Sequence, residues 1–148
     1  MEGDIDPFDL QRFVDAQATV IGAVRRELNA GRKTSHWMWF MFPQLAGLGR
    51  SPMAERYAIA SGEEARAYLD HPILGPRLRE LTALVNAAPG PTASEIFGAP
   101  DDAKFRSSMT LFAKCASHPA VFRQAIDRYF AGVEDSATVS ILGRREGR

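Results

Sequence analysis

The stretch Arg32-Lys-Thr-Ser-His-Trp-Met-Trp-Phe-Met-Phe-Pro-Gln44 contains both tryptophans of the chain, two of its nine phenylalanines and one of its three histidines. Apolar and aromatic side chains fill its centre, and polar or cationic side chains lie at both ends. Such a run must be largely buried, and any buried polar group needs a hydrogen-bond partner. We therefore predict that the stretch is either a cross-braced part of the core or the wall of a pocket.

Signals for the starts and ends of helices recur on both sides of this stretch, whereas signals for strands do not. Asp6 and Pro7 predict an N-cap and a first helical residue, and Gly31 predicts the end of that helix. Ser35 predicts the cap of a short helix over residues 36–42. Further helix starts are predicted where a capping residue, a proline or both occur, at Ser51-Pro52, Ser61 with Glu64, Pro72, Thr92 with Glu95, Pro100, Ser117 with Pro119, and Asp135. We predict an all-α fold of about seven helices.

The composition predicts one compact globular domain over residues 1–148. Hydrophobic residues make up 45% of the chain and charged residues 24%, as is usual for a chain with a packed core. No repeat and no linker divides the sequence. Residues 143–148 begin with a glycine and are rich in arginine, which predicts a frayed basic tail.

Charge and cysteine content argue against several classes of protein. Eighteen basic residues balance eighteen acidic ones, so we expect no attraction to nucleic acid or to an anionic membrane surface. The longest apolar run, over residues 37–42, is too short to cross a bilayer. A single cysteine, Cys115, and an N-terminus without a signal-peptide pattern favour a cytoplasmic protein. The scattered histidines and carboxylates predict neither a metal site nor a cofactor.

A histidine and a glutamine mark the first candidate site. In a helix over residues 36–42, His36 would lie one turn from Phe40 and close to Lys33, an arrangement that favours a neutral imidazole able to act as a general base. The alternative is a buried histidine with a structural role. Gln44 follows a proline, and its amide either hydrogen-bonds a ligand or caps a helix.

Cations flank the stretch on both sides. Lys33 precedes it and Arg50 follows it, so a loop that brings its ends together would let both grip a phosphate or a carboxylate. Ser51 at a helix N-terminus would add backbone N–H groups to such a site. The alternative is that the cations are solvated and that Ser51 is only an N-cap.

A second candidate cluster lies at a predicted helix start. Asp101 and Asp102 fall in the first turn, where the helix dipole favours negative charge. Lys104 and Ser107 follow about one turn apart and would supply donors to a pocket. The alternative is that the whole cluster serves helix capping and surface ion pairs.

Several motifs together resemble one family. They are Asp6-Pro-Phe-Asp-Leu-Gln-Arg-Phe13, Lys33-x-Ser-His-Trp-Met-Trp-Phe40, Phe42-Pro-Gln44, Gly47-x-Gly49, Tyr57, Ile96-Phe-Gly98 and Asp101-x-x-Lys104-x-x-Ser107-x-Met-Thr-Leu-Phe112. Spread over nearly the whole chain, they are similar to the bacterial domain-of-unknown-function family eighteen-ten. The resemblance implies a mainly α-helical single domain and no established activity. Members are sometimes labelled calpastatin, but a calpain inhibitor of that kind is a disordered polar chain, whereas this composition predicts a globular core.

We expect a pocket between residues 33–44 and residues 101–108 that binds a small polar or anionic metabolite, such as a nucleotide or nucleoside. The predicted ligand-binding side chains can stack on a ring, hydrogen-bond or meet a charge, and they are Lys33, Ser35, Trp37, Trp39, Gln44, Arg50, Lys104 and Ser107. If the chain is an enzyme, His36, Asp101 or Asp102 would be the general base of a hydrolysis or group-removal reaction. The alternative is a non-catalytic protein-interaction module with a structural aromatic core.

Overall fold

A computed structural model describes residues 5–90 and 92–146 of the chain, and these residues form ten helices and no strand. In chain order the helices are α1 Gln11–Ala18, α2 Ile21–Asn29, α3 Met38–Met41, α4 Pro52–Arg56, α5 Gly62–Asp70, α6 Leu74–Ala87, α7 Ala93–Phe97, α8 Asp101–Cys115, α9 Ala120–Phe130 and α10 Ser136–Glu146. The all-α prediction is confirmed, but the predicted number of about seven helices is too low. Helices α3, α4 and α7 have only four or five residues, too few to show a periodic apolar stripe.

The helix predicted from Asp6 to Gly31 is in fact two helices. Its start is also later than predicted, because α1 begins at Gln11, so Asp6 and Pro7 are not its N-cap and first helical residue. The Asp6 carboxylate accepts hydrogen bonds from the backbone N–H groups of residues 10 and 11 at 2.8 and 2.9 Å. The break falls at Thr19 and Val20, two β-branched residues whose restricted side chains lower helix propensity. Gly31 has a φ of +77°, the left-handed conformation that commonly ends a helix.

Helix α8 lies at the centre of the core. It packs against α5, α7, α9 and α10. The inward face that the sequence predicts, Phe105, Met109 and Phe112, has no exposed surface. Residues on the other sides of α8 are buried as well, Ser108 and Leu111 among them. A helix covered on all sides is the element around which a small domain is built.

The aromatic stretch is braced against this central helix. Trp37 has no exposed surface, and its ring centroid lies 6.2 Å from that of Phe42. Phe42 in turn meets Phe97 at 5.9 Å and Phe105 at 5.2 Å, both edge to face. The stretch is thus a part of the core held by several aromatic contacts, the first of the two structures predicted for it. A small cavity lies on one side of the stretch.

A buried polar network joins four helices to each other. The side-chain amide of Gln17 on α1 donates to the carbonyl oxygen of Phe40 on α3 at 2.7 Å and to the hydroxyl oxygen of Tyr68 on α5 at 3.1 Å. Arg77 on α6 donates to the Gln17 amide oxygen at 3.0 Å. Burial raises the pKa of the Tyr68 hydroxyl well above its usual range, so this group stays a neutral hydrogen-bonding partner.

Four predicted caps are present, and each has the expected geometry. The hydroxyl oxygens of Ser51, Ser61 and Thr92 each accept a hydrogen bond from the backbone N–H three residues on, at 3.1 Å. A carboxylate oxygen of Asp135 accepts the N–H of Thr138 at 3.0 Å and so caps α10. Short side-chain oxygens therefore begin these helices as the sequence indicates.

The C-terminal helix extends further than the sequence predicts. The frayed tail predicted over residues 143–148 is helical up to Glu146, because α10 packs against α8 and is held by Arg145. Residues 147–148 of that predicted tail lie outside the described residues. None of the helices in the described part of the chain has the length and apolarity needed to cross a membrane.

Candidate functional site

An ion-pair cluster connects the two predicted segments. The ammonium nitrogen of Lys33 lies 2.9 Å from one carboxylate oxygen of Asp101, and that of Lys104 lies 3.7 Å from the other. The Lys33 side chain is only 8% exposed, and its ammonium lies 5.1 Å from the centre of the Trp37 ring. Its backbone N–H donates to the carbonyl oxygen of Ile96 at 2.7 Å, which fixes the start of the stretch against α7. The two segments therefore meet at Lys33, Asp101 and Lys104.

A small cavity lies beside Lys104. Its walls include Trp39, Gln44, Gly49 and Tyr57, so it is bounded by α3, by the loop after α3 and by the end of α4. The space open to the centre of a water molecule is about 10 Å³, which is about enough for one water. Three residues predicted to bind a ligand, Trp39, Gln44 and Lys104, thus line one cavity, but this cavity cannot enclose a nucleotide.

The polar groups around the cavity have unused hydrogen-bonding capacity. Within the described residues, neither the Gln44 amide nor the Tyr57 hydroxyl has a side-chain hydrogen-bond partner. The Lys104 ammonium, at 3.7 Å from Asp101, is beyond the length of a good hydrogen bond. Among the described residues, the buried side-chain polar atoms without a partner are Asn86 Oδ1 and Ser108 Oγ, so the groups at the cavity keep contact with solvent.

Glu27, which the sequence did not single out, organises the other side of the stretch. Its carboxylate accepts the backbone N–H groups of Thr34 at 2.8 Å and Ser35 at 3.1 Å, the Ser35 hydroxyl, and the Trp37 indole N–H at 2.9 Å. Burial alone raises the pKa of Glu27, but these hydrogen bonds outweigh burial and lower it from 4.5 to about 2. The carboxylate is therefore charged and fully used as an acceptor at neutral pH.

This carboxylate changes the roles predicted for two residues. The hydroxyl of Ser35 is bound to Glu27 and does not cap a helix, since α3 begins only at Met38. Trp37 has no exposed surface and its indole N–H is used by Glu27, so no ring can stack on it in this packing. Trp39, which is half-buried and lines the cavity, is the tryptophan that a ligand can reach.

The remaining predicted residues lie apart from the cavity lining. His36 precedes α3 and is exposed, contrary to the alternative of a buried structural histidine. Arg50 is exposed in the loop before α4. Ser107 is buried and its hydroxyl donates to the carbonyl oxygen of residue 103 at 3.2 Å, within α8. Asp102 accepts the N–H of residue 103 at 2.8 Å in the first turn of the same helix.

Histidine, cysteine and carboxylate side chains are scattered over the described part of the chain. No group of three or more histidine, cysteine or carboxylate side chains there has the spacing of a metal site. Cys115 is buried near the end of α8. At the cavity, the Gln44 amide and the Lys104 ammonium can hydrogen-bond a ligand or meet its charge.

Comparison with known proteins identifies relatives without a known activity. The chain matches the family described as Protein of unknown function (DUF1810) over residues 7–142. It is similar to the conserved hypothetical protein Rv1873 from Mycobacterium tuberculosis, whose crystal structure was determined at 1.38 Å. The two share 57% sequence identity with a TM-score of 0.92, over 93% of this chain and 99% of that one. A comparison with curated proteins found no match to the chain. The motifs spread from Asp6 to Phe112, the helical fold and the match over residues 7–142 lead to one conclusion, that this chain belongs to the DUF1810 family.

Proposed function

We propose that the chain binds a small polar metabolite through an anionic group placed at the cavity beside Lys104. The observation that carries this proposal is the convergence of Trp39, Gln44 and Lys104, which come from two distant segments and line one solvent-accessible hollow. Their hydrogen-bonding capacity is unused within the described residues, and a ligand group would use it.

The size of the cavity limits which part of a ligand can enter. A space of about 10 Å³ accepts a group of one or a few atoms, such as one oxygen of a carboxylate, and leaves the rest of the ligand at the surface. The Lys104 ammonium offers a charge-assisted hydrogen bond, and the Gln44 amide offers a donor of fixed direction. A nucleotide would have to present its phosphate here and place its ring near Trp39.

The charges around the cavity also favour an anion. Lys33 and Lys104 supply two positive charges, and Asp101 between them supplies one negative charge. Lys33 is committed to the short contact with Asp101, whereas the longer contact leaves Lys104 able to turn toward a ligand. Asp101 would then keep the ammonium groups of Lys33 and Lys104 in position and would contribute to binding. The general-base roles of His36, Asp101 and Asp102 remain predictions for a reaction that is not yet identified.

A binding screen tests this proposal. Thermal shift and NMR titration against carboxylates, inorganic phosphate, nucleotides and nucleosides should identify anionic ligands that raise the melting temperature. Lys104→Met and Gln44→Ala should weaken binding of such a ligand by at least about tenfold, as expected for the loss of a hydrogen bond to a charged group. Lys114→Met is the matched control, because it removes a lysine at the other end of the same helix, about 15 Å away.

Two results would count against the proposal. One is that no member of the panel shifts the melting temperature of the folded wild-type chain. The other is that Lys114→Met weakens binding as much as Lys104→Met does. That result would mean that binding depends on the net charge of the chain and not on the position of Lys104.

The alternative role, a protein-interaction module, finds no specific support. Such a module would present a contiguous exposed apolar patch of several hundred Å². The large hydrophobic side chains that are exposed in the described residues are Ile5, Ile73 and Val133, and they belong to three separate segments of the chain.

A further inference from the structure

The guanidinium of Arg145, in the last turn of α10, ties together two segments that are far from it in sequence. One nitrogen donates to the carbonyl oxygen of Ala60 at 3.0 Å, and the other donates to that of Ala46 at 2.9 Å. The same group lies across Gly47, where a Cβ atom would come within 3.4 Å of the guanidinium nitrogen. Arg145 therefore contacts the chain on both sides of the loop that carries α4.

The segment before α4 lines the candidate cavity through Gln44 and Leu45, and the segment after α4 is paired with it. Leu45 pairs with Ile59 in an isolated parallel bridge. The N–H of Ile59 donates to the carbonyl oxygen of Gln44 at 2.9 Å, and that of Ala46 donates to the carbonyl oxygen of Ile59 at 2.8 Å. The position of Gln44 over the cavity thus depends on this short pairing.

A pairing of this length needs support from outside. Two backbone hydrogen bonds between segments that form no sheet are marginal by themselves. Burial of Leu45 and Ile59 in the core supports the centre of the pairing, whereas Ala46 is half-buried and Ala60 is exposed. Arg145 supplies that support with two hydrogen bonds, one to each segment, from a helix that is itself packed against α8. The fork of a guanidinium is suited to such a double contact.

We infer that Arg145 is a positioning residue for the cavity, and that α10 acts through it as a strap that holds the Gln44 wall closed. Release of the Arg145 contacts would let residues 44–47 move away from Ile59 and widen a cavity that otherwise admits only a few atoms. The importance of the strap for ligand entry rests on the proposed function. Its effect on the wall can be measured without any ligand.

Hydrogen exchange tests the strap directly. In Arg145→Met the amides of Ala46 and Ile59 should exchange about tenfold faster than in the wild type, because one or two exposed hydrogen bonds are lost. The exchange rates of amides in the middle of α8 should stay unchanged. Acrylamide should also quench the fluorescence of Trp39 more strongly, whereas Trp37 has no exposed surface to quench. Arg145→Lys keeps the positive charge but loses the two donors of the guanidinium. Its exchange rates at Ala46 and Ile59 should lie between those of the wild type and those of Arg145→Met.

Arg144→Met is the matched control, because Arg144 is the neighbouring arginine and donates to Ser140 within α10. Wild-type exchange rates at Ala46 and Ile59 in Arg145→Met would overturn the inference. So would equal acceleration in Arg144→Met, since that result would indicate loosening of the whole helix end. If the exchange effect is present while no ligand binds, the strap stands and the proposed function fails.

Discussion

The carboxylate of Glu27 shows how one side chain can determine the conformation of a whole segment. Four donors from residues 34, 35 and 37 converge on it, and their hydrogen bonds hold the turn between α2 and α3. These bonds outweigh the opposing effect of burial and lower the pKa of Glu27 to about 2. A carboxylate that loses its charge would give up most of this stabilisation, because each donor would face a weaker acceptor.

Glu27→Gln should therefore reduce the free energy of unfolding at neutral pH by about 1–3 kcal/mol, since an amide brings two donors to a place where every neighbour already donates. Chemical denaturation followed by tryptophan fluorescence measures this loss. Glu80→Gln is the control, because Glu80 pairs with Arg25 at the surface, where both side chains are more than 40% exposed. We expect that control to change stability by less than about 1 kcal/mol.

The depressed pKa of Glu27 also predicts a dependence of stability on pH. The folded value of about 2 lies below the ordinary value of 4.5, so the contribution of Glu27 is complete above pH 4.5 and is lost as the pH falls toward 2. The wild type should lose stability over this window more steeply than Glu27→Gln, whose side chain does not titrate. Parallel pH profiles of the two proteins would contradict the assignment.

The sequence indicated some of these residues and missed others for physical reasons. The charges of Lys33, Asp101 and Lys104 and the amide of Gln44 stand out because they adjoin apolar runs. Glu27 does not stand out, since a glutamate next to an apolar helical stripe usually lies in solvent. The signal that would have found it is the indole N–H of Trp37, a buried donor that must have an acceptor. His36 was misplaced because the start of α3 was predicted two residues too early.

Helices α5 and α6 meet at a glycine, Gly75. Gly75 lies in the first turn of α6, and a Cβ atom there would be 2.0 Å from the carbonyl oxygen of Leu69 on α5. The role of Gly75 is therefore to let two backbones approach closely, which only a residue without a side chain permits. A sequence pattern cannot distinguish this role from a bend, because the contact comes from the tertiary packing of the two helices.

Gly75→Ala should destabilise the chain by about 2 kcal/mol or more, because backbone atoms must separate to make room for the methyl group. Gly22→Ala in α2 is the matched control. A Cβ atom at Gly22 would meet only the end of the Arg26 side chain, at 3.5 Å. That substitution should stabilise the chain by about 0.5–1 kcal/mol through helix propensity alone. Differential scanning calorimetry of both variants checks the opposite signs, and equal effects would show that the close contact with Leu69 carries no energetic cost.

The distribution of burial over the molecule predicts which regions open first. Helix α8 is covered by four other helices, whereas no residue of α4 is buried. Amides in the middle of α8 should exchange only through global unfolding, and those of α4 through small local openings. Native-state hydrogen exchange should therefore give opening free energies for α8 that match the global value from denaturation. Values for α8 well below the global one would mean that the core opens in parts.

The fold as a whole was easier to predict than the site. Caps at Ser51, Ser61, Thr92 and Asp135 depend on contacts within a few residues, so a local pattern suffices to indicate them. The Arg145 contacts join residues 85 and 99 positions apart, and the small cavity joins residues as far apart as Met38 and Lys104. No local pattern encodes such contacts.

The Gln17 network has a consequence for how the domain comes apart. If α1 detached alone, Arg77, the Tyr68 hydroxyl and the Phe40 carbonyl would each lose a partner, at roughly 1–3 kcal/mol for every group that stayed buried. Fraying of the N-terminal helix is thus coupled to disruption of three others. We therefore expect helix α1 and the core to unfold as one cooperative unit, although α1 is only eight residues long.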